Sequence, residues 1–117
     1  MSELRSLLNS NARARVFRVE SEVLDSMKLT SVYVKSMTGA QRETLANLGK
    51  QEKNITDAEL VAWCLCDEQG LLVYPDCLAT DLAEIRNWDS QVSNTIARSI
   101  LEVSGLTKEA TDKAKKA

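Results

Sequence analysis

A chain of 117 residues, 44% hydrophobic and 27% charged, is long enough to bury a core without metal or disulfide staples and too apolar to stay disordered. Its net charge of −2 argues against a protein that coats nucleic acid, which needs a basic face to displace counterions. It has no histidine, which removes Ser-His-Asp and Cys-His catalysis and His-ligated metal sites.

Four glycines and one proline allow few tight turns, which favours helices over a many-stranded β fold. No run of about 20 apolar residues exists, so no membrane span is expected. The opening residues MSELRSLLNSN lack the apolar centre of a secretion signal. The odd cysteine count, three, fits a reducing cytosol better than a secreted disulfide scaffold.

In chain order, Glu3 to Ser10 predicts a short helix with Leu4, Leu7 and Leu8 on one side. Arg15 to Glu20 alternates enough for a strand, and Asp25-Ser26 reads as a turn. Leu29 to Lys35 is β-branched and aromatic, so it suits a second strand that pairs with the first. Thr38 and Gln41 form a capping-box signature, in which each side chain satisfies the other residue's orphan N–H. The helix from Gly39 to Leu48 would turn Ala40, Thr44, Leu45 and Leu48 inward and stop at Gly49.

Thr56 and Glu59 repeat the capping box, with Ile55 and Leu60 as the hydrophobic staple. A helix is therefore expected from Asp57 to about Leu65, with a strand as the competing reading for Trp63 to Cys66. Asp67 to Gly70 is a turn, and Leu71 to Tyr74 is strand-like and expected to join the sheet. Beyond Pro75, Leu78 to Asn87 predicts a helix burying Leu78, Leu82 and Ile85. Asp89 or Ser90 then caps the longest helix, whose stripe is Val92, Ile96, Ile100 and Val103. Gly105 followed by Leu106 fits a Schellman stop. The expectation is a single globular α+β domain over residues 1–106, mostly helical. It would have three to five helices and a small two- or three-stranded β element. Residues 107–117 form a charged tail with no apolar anchor, expected to fray.

Few residues suggest chemistry. Cys64, Cys66 and Cys77 are too few and too closely spaced for a zinc site, and read as small buried hydrophobes. Asp67, Glu68, Asp76 and Asp81 lack the spacing of a calcium loop, and Asp67-Glu68 before Gly70 reads as an exposed turn. Arg13, Arg15 and Arg18 read as a solvated strand face rather than a nucleic-acid contact. Trp63 belongs to the core. Trp88 either fills a corner of the core or anchors a partner.

Three stretches in order resemble the tail assembly chaperones of long-tailed bacteriophages. Leu29 to Leu45, LTSVYVKSMTGAQRETL, is similar to that family's strand followed by a capped helix. Leu60 to Tyr74, LVAWCLCDEQGLLVY, resembles its segment with an Asp-x-x-Gly turn, here Asp67 and Gly70. Val92 to Leu106 resembles its closing helix, ending ILEVSGL. Lys35, Tyr74 and Ser104 stand where the family more often has Arg, Phe and Asn.

The resemblance implies a non-enzymatic late viral protein of the host bacterial cytoplasm, absent from the mature virion and without cofactor. It would bind the long, helical, hydrophobic tape measure protein, self-associate, and give way to the tail tube protein. It also implies that a frameshift near Lys115-Lys116 extends some copies. The expected partner contacts are Trp88, Val92, Ile96 and Leu106. Nucleic-acid and membrane partners are not expected. Rival readings are a structural connector or completion protein of the tail, and a small helix-turn-helix regulator.

Overall fold

The structure is a computed structural model and describes residues 3–51 and 55–106. Nine elements follow one another: α1 (Glu3–Asn11), β1 (Val16–Arg18), α2 (Glu22–Ser26), β2 (Tyr33–Lys35), α3 (Gly39–Lys50), α4 (Asp57–Cys64), β3 (Leu65–Cys66), α5 (Ala79–Arg86) and α6 (Ser90–Val103). The described residues are thus α+β and mostly helical, with a small three-stranded antiparallel sheet. They hold one helix more than expected. The extra one is α2, in the stretch read as a turn, where the Ser21 side chain accepts from the Val23 N–H and starts a short helix. The tail expected over residues 107–117 lies outside the described residues.

The sheet has the order β1-β2-β3. β1 and β2 pair as expected, with Phe17 opposite Val34. The third strand is a correction. It is Leu65–Cys66, which pairs with Val34 and Tyr33, and not Leu71 to Tyr74. Leu72 makes only a single bridge to Cys66. Two backbone bonds flank that bridge, from the Asp67 N–H to Leu71 O at 2.9 Å and from the Val73 N–H to Leu65 O at 3.0 Å. It goes no further because the Leu71 N–H turns to the Asp67 carboxylate at one end and the Leu65 N–H stays bonded to Val61 O in α4 at the other. Both readings of Trp63 to Cys66 are realised in part. α4 runs to Cys64, then Leu65 turns extended at φ −66°, ψ 126°, and the chain enters the sheet with no loop between.

The core sits around α4, which packs on α5 and α6, while α6 also meets β2 and α2. Its sequence, DAELVAWC, is apolar on nearly every side, so it suits the centre of a layer rather than its surface. Ala58, Leu60, Val61, Ala62 and Cys64 are all buried. Around them lie Leu24, Val34, Ile85 and, from the α6 stripe, Val92, Ile96, Ala97 and Ile100. Leu24, Ile85 and Ile100 have no exposed surface, and each contributes roughly 1.5–3 kcal/mol by burial. Trp63 packs partly buried against this cluster.

The helix ends show which local signals were complete. Thr38 and Gln41 make the full reciprocal box: Thr38 Oγ1 accepts from the Gln41 N–H at 3.2 Å, and Gln41 Oε1 accepts from the Thr38 N–H at 3.0 Å. Thr56 makes only half of one. Its hydroxyl accepts from the Glu59 N–H, but the Glu59 carboxylate accepts from that same hydroxyl rather than from the Thr56 backbone. At α5 the halves are reversed: Leu78 has no side-chain acceptor, and Asp81 alone reaches back to its N–H at 3.0 Å. Asp89 caps α6 through the Gln91 N–H. At its far end the Leu106 N–H reaches Leu101 O at 2.7 Å and the Gly105 N–H reaches Glu102 O, the two bonds of a Schellman motif with Gly105 at φ +77°.

Two expectations about burial fail for one reason. Ala40 and Thr44, on an α3 that runs past Gly49 to Lys50, are exposed. Leu78, expected inside, is 55% exposed because it precedes α5 as its cap residue. In both places the local pattern is helical, and among the described residues these side chains stay uncovered. α3 buries no residue and touches the core mainly through Leu45. It is tied at its root, where the Met37 N–H donates to Ser104 Oγ at 2.9 Å. α1 buries nothing either, and neither helix makes an extensive contact with another element.

Candidate functional site

Four residues were expected to face a partner, and the structure divides them. Val92 and Ile96 are 6% and 2% exposed and lie within the core. The stripe they belong to is the face by which α6 closes on α4. Trp88 and Leu106 are partly buried at its margin. They flank α6 at opposite ends, roughly 20 Å or more apart at 1.5 Å per residue. The four therefore do not converge on one surface.

Trp88 stands at the turn between α5 and α6, where its N–H donates to Ile85 O. Its ring lies 6.4 Å from the Tyr74 ring at an interplanar angle of 47°. Such a tilted pair holds the Val73–Leu78 segment against the helices by more than area alone. Around this pair the charge is acidic. Burial first, then the carboxylates of Glu84 and Asp81, push the Tyr74 hydroxyl above its ordinary range. Burial, then Glu59 and Asp81, do the same to the Cys77 thiol. Carboxylates from α4 and α5 thus converge on one segment, which also carries the exposed side chains of Val73 (51%) and Leu78.

A second apolar surface went unassigned in the sequence. Leu4, Leu7 and Leu8 are 64%, 56% and 53% exposed, and all lie on α1. The stripe itself is plain in the sequence, but nothing in it says whether another element will cover it. Just beyond, Arg13 donates through Nε to Asn9 O at 2.7 Å, and the Arg15 guanidinium lies 5.2 Å from the Phe17 ring centroid. Arg18 donates through Nε to Thr30 O. These arginines are exposed, so the α1–β1 end of the chain combines leucines with positive charge.

The thiols are arranged for burial rather than reaction. Cys64 and Cys66 are buried and Cys77 is half-buried. Burial and the neighbouring Cys66 thiol push Cys64 up to about 12, against a smaller opposing effect of Lys35. Burial also raises Cys66. A nucleophilic or metal-binding thiol needs the opposite shift. Among the described residues no group of three or more His, Cys, Asp or Glu side chains is placed to hold a metal ion. Asp67 and Asp81 from the acidic stretch are engaged in the turn and the α5 cap. Among the described residues no helix is long and apolar enough to cross a membrane.

No protein-family model, curated protein or solved structure matches the chain.

Proposed function

We propose that this protein is a tail assembly chaperone of a long-tailed bacteriophage. It binds the tape measure protein in the host cytoplasm, keeps it soluble, and yields it as tail tube subunits polymerise. The observation that carries this reading is the ordered resemblance of Leu29–Leu45, Leu60–Tyr74 and Val92–Leu106, three stretches spaced between residues 29 and 106.

Surface chemistry supports the same role. A chaperone that must later let go needs apolar contacts of modest size, because affinity differences of this kind are mostly differences in dissociation rate. The exposed leucines of α1 and the Val73–Leu78 segment with Trp88 are surfaces of that kind, suited to amphipathic helical segments. Trp88 and Leu106 stay in this proposal as margin contacts, while Val92 and Ile96 act through the fold that presents them.

The test is co-expression with the long helical gene product encoded just downstream. The expected result is that the partner moves from the insoluble to the soluble fraction and co-purifies with this chain. A partner equally insoluble with and without this chain overturns the reading. Purified virions should lack the chain. Its stoichiometric presence there would instead favour a structural tail component.

A further inference from the structure

β1 is the outer strand of the sheet, with β2 on one side. Among the described residues it makes an extensive contact with β2 alone. The register decides which of its backbone groups are used. The Ser36 N–H donates to Arg15 O at 2.9 Å and the Val19 N–H to Val32 O at 2.8 Å, so the bonded pairs fall on Arg15, Phe17 and Val19. The N–H and C=O groups of Val16 and Arg18 therefore point away from β2, toward the open edge. None of these four groups has a hydrogen-bond partner among the described residues. Val16 is 36% exposed, and Arg18 is exposed.

The same edge is basic. Arg13, Arg15 and Arg18 stand between residues 13 and 19 with no acidic residue among them. The first carboxylates, Glu20 and Glu22, come only after the ladder bond at Val19. Among the described residues none of the three arginines is paired with a carboxylate. Arg13 and Arg18 each donate Nε to a backbone oxygen, and the Arg15 guanidinium lies over the Phe17 ring. These contacts steady the side chains and leave the terminal guanidinium nitrogens to donate elsewhere. Arg15 and Arg18 are three apart along an extended chain, so they flank the edge on opposite faces of the sheet.

We infer that the free edge of β1 takes an extended, acidic segment of another protein as a fourth strand of the sheet. A strand brings both donors and acceptors to the four open backbone groups, and its carboxylates meet Arg15 on one face and Arg18 on the other in charge-assisted hydrogen bonds. Nucleic acid matches the arginines but not the edge. Its phosphates only accept, and they would face the Val16 and Arg18 carbonyls with like charge. A second copy of β1 would set arginine against arginine, which opposes pairing. The edge is short, so the association is weak and falls with salt. This edge is separate from the surfaces of the chaperone reading, which take helical segments.

The probe is a short, fluorescently labelled peptide of alternating glutamate and valine, titrated with the full chain at low salt. Anisotropy should give a Kd of roughly 0.1–1 mM, in keeping with so small a contact. In amide exchange the Val16 and Arg18 N–H groups should be open in the free protein and protected with the peptide bound. Methylating every peptide nitrogen keeps the charge, removes the donors, and should abolish binding. Arg15→Glu/Arg18→Glu should weaken binding at least about tenfold with unchanged circular dichroism. Absence of binding up to about 1 mM overturns the inference. So does binding that survives methylation or the arginine substitutions, or protection that appears elsewhere in the chain. A single-stranded oligonucleotide that protects the same two amides as well as the peptide does would make nucleic acid the occupant. Protection of those amides in the chain alone, rising with its concentration, would make it a second copy. In either case the inference fails.

Discussion

Helices α1 and α4 are nearly the same length, nine and eight residues, and end in opposite environments. α1 has the regular leucine spacing of an amphipathic helix and buries nothing. α4 has little sidedness and buries five of its eight residues. The same contrast separates α3 from α6. α3 has the one complete Thr–Gln capping box and no buried residue, whereas α6 is capped by a single Asp89 contact and buries four. Caps and periodicity decide where a helix forms. Coverage by a second element decides whether it stabilises the fold. The centre of this molecule is therefore α4 with α6, and α1 and α3 are appendages whose apolar or polar faces remain available.

Several measurements would break or sharpen that contrast. The largest expected effect is alkaline. Cys64 is held near 12 in the fold against an ordinary value of 9.0. Its pKa is raised, so the associated stability is intact below pH 9 and is lost as pH climbs toward 12, because the unfolded thiol ionises first. Three pH units correspond to about 4 kcal/mol. Denaturant melts at stepped pH should show that decline, and Cys64→Ala should make it shallower, leaving the part owed to Cys66, Cys77 and Tyr74. An unchanged slope in the variant would mean the burial of α4 is looser than described.

Ile100→Ala removes a side chain with no exposed surface from the α6 stripe and should cost roughly 3 kcal/mol, read from the urea midpoint. Gly70→Ala should cost about 1–2 kcal/mol. Gly70 has φ +86°, and an added Cβ would meet Val16 Cγ2 at 3.2 Å. Thr56→Ala, at the start of α4, should cost about 1 kcal/mol through the lost cap. Leu7→Ala on α1 should change stability by less than about 0.5 kcal/mol. If Leu7→Ala costs as much as Ile100→Ala, α1 is part of the core and the contrast is wrong. Amide exchange gives the same ordering without mutation, with α1 and α3 opening at lower free energy than α4 and α6.

Much of the fold was legible because its signals are local. Thr38 with Gln41, Asp89, and Gly105 with Leu106 each satisfy backbone groups within a few residues, and all three formed as their sequence patterns require. The Asp67–Gly70 turn closed for the same reason. The misreadings come where two bonds compete for one backbone group and the residue pattern does not rank them. Leu71 to Tyr74 has strand-like residues, but the Asp67 carboxylate takes its first N–H and α4 keeps the Leu65 N–H that would face Val73, which leaves a single bridge. Gly49 is available as a stop, but the Gln51 N–H continues to bond Asn47 and Leu48, so the helix runs past it.

The candidate site was less legible than the fold. Val92 and Ile96 belong to a stripe that suits a partner or a core equally well, and the arrival of α4 makes it core. The leucines of α1 form a similar stripe that stays more than half exposed among the described residues. By itself the sequence determined the helix-rich class, the caps and the apolar character of α4. These follow from residue type and from spacings of a few residues. Only the tertiary structure decided which of two equivalent apolar stripes is covered, and that α4 passes straight into the sheet. Burial depends on contacts between residues far apart in the chain, and a stripe carries no information about its own neighbour.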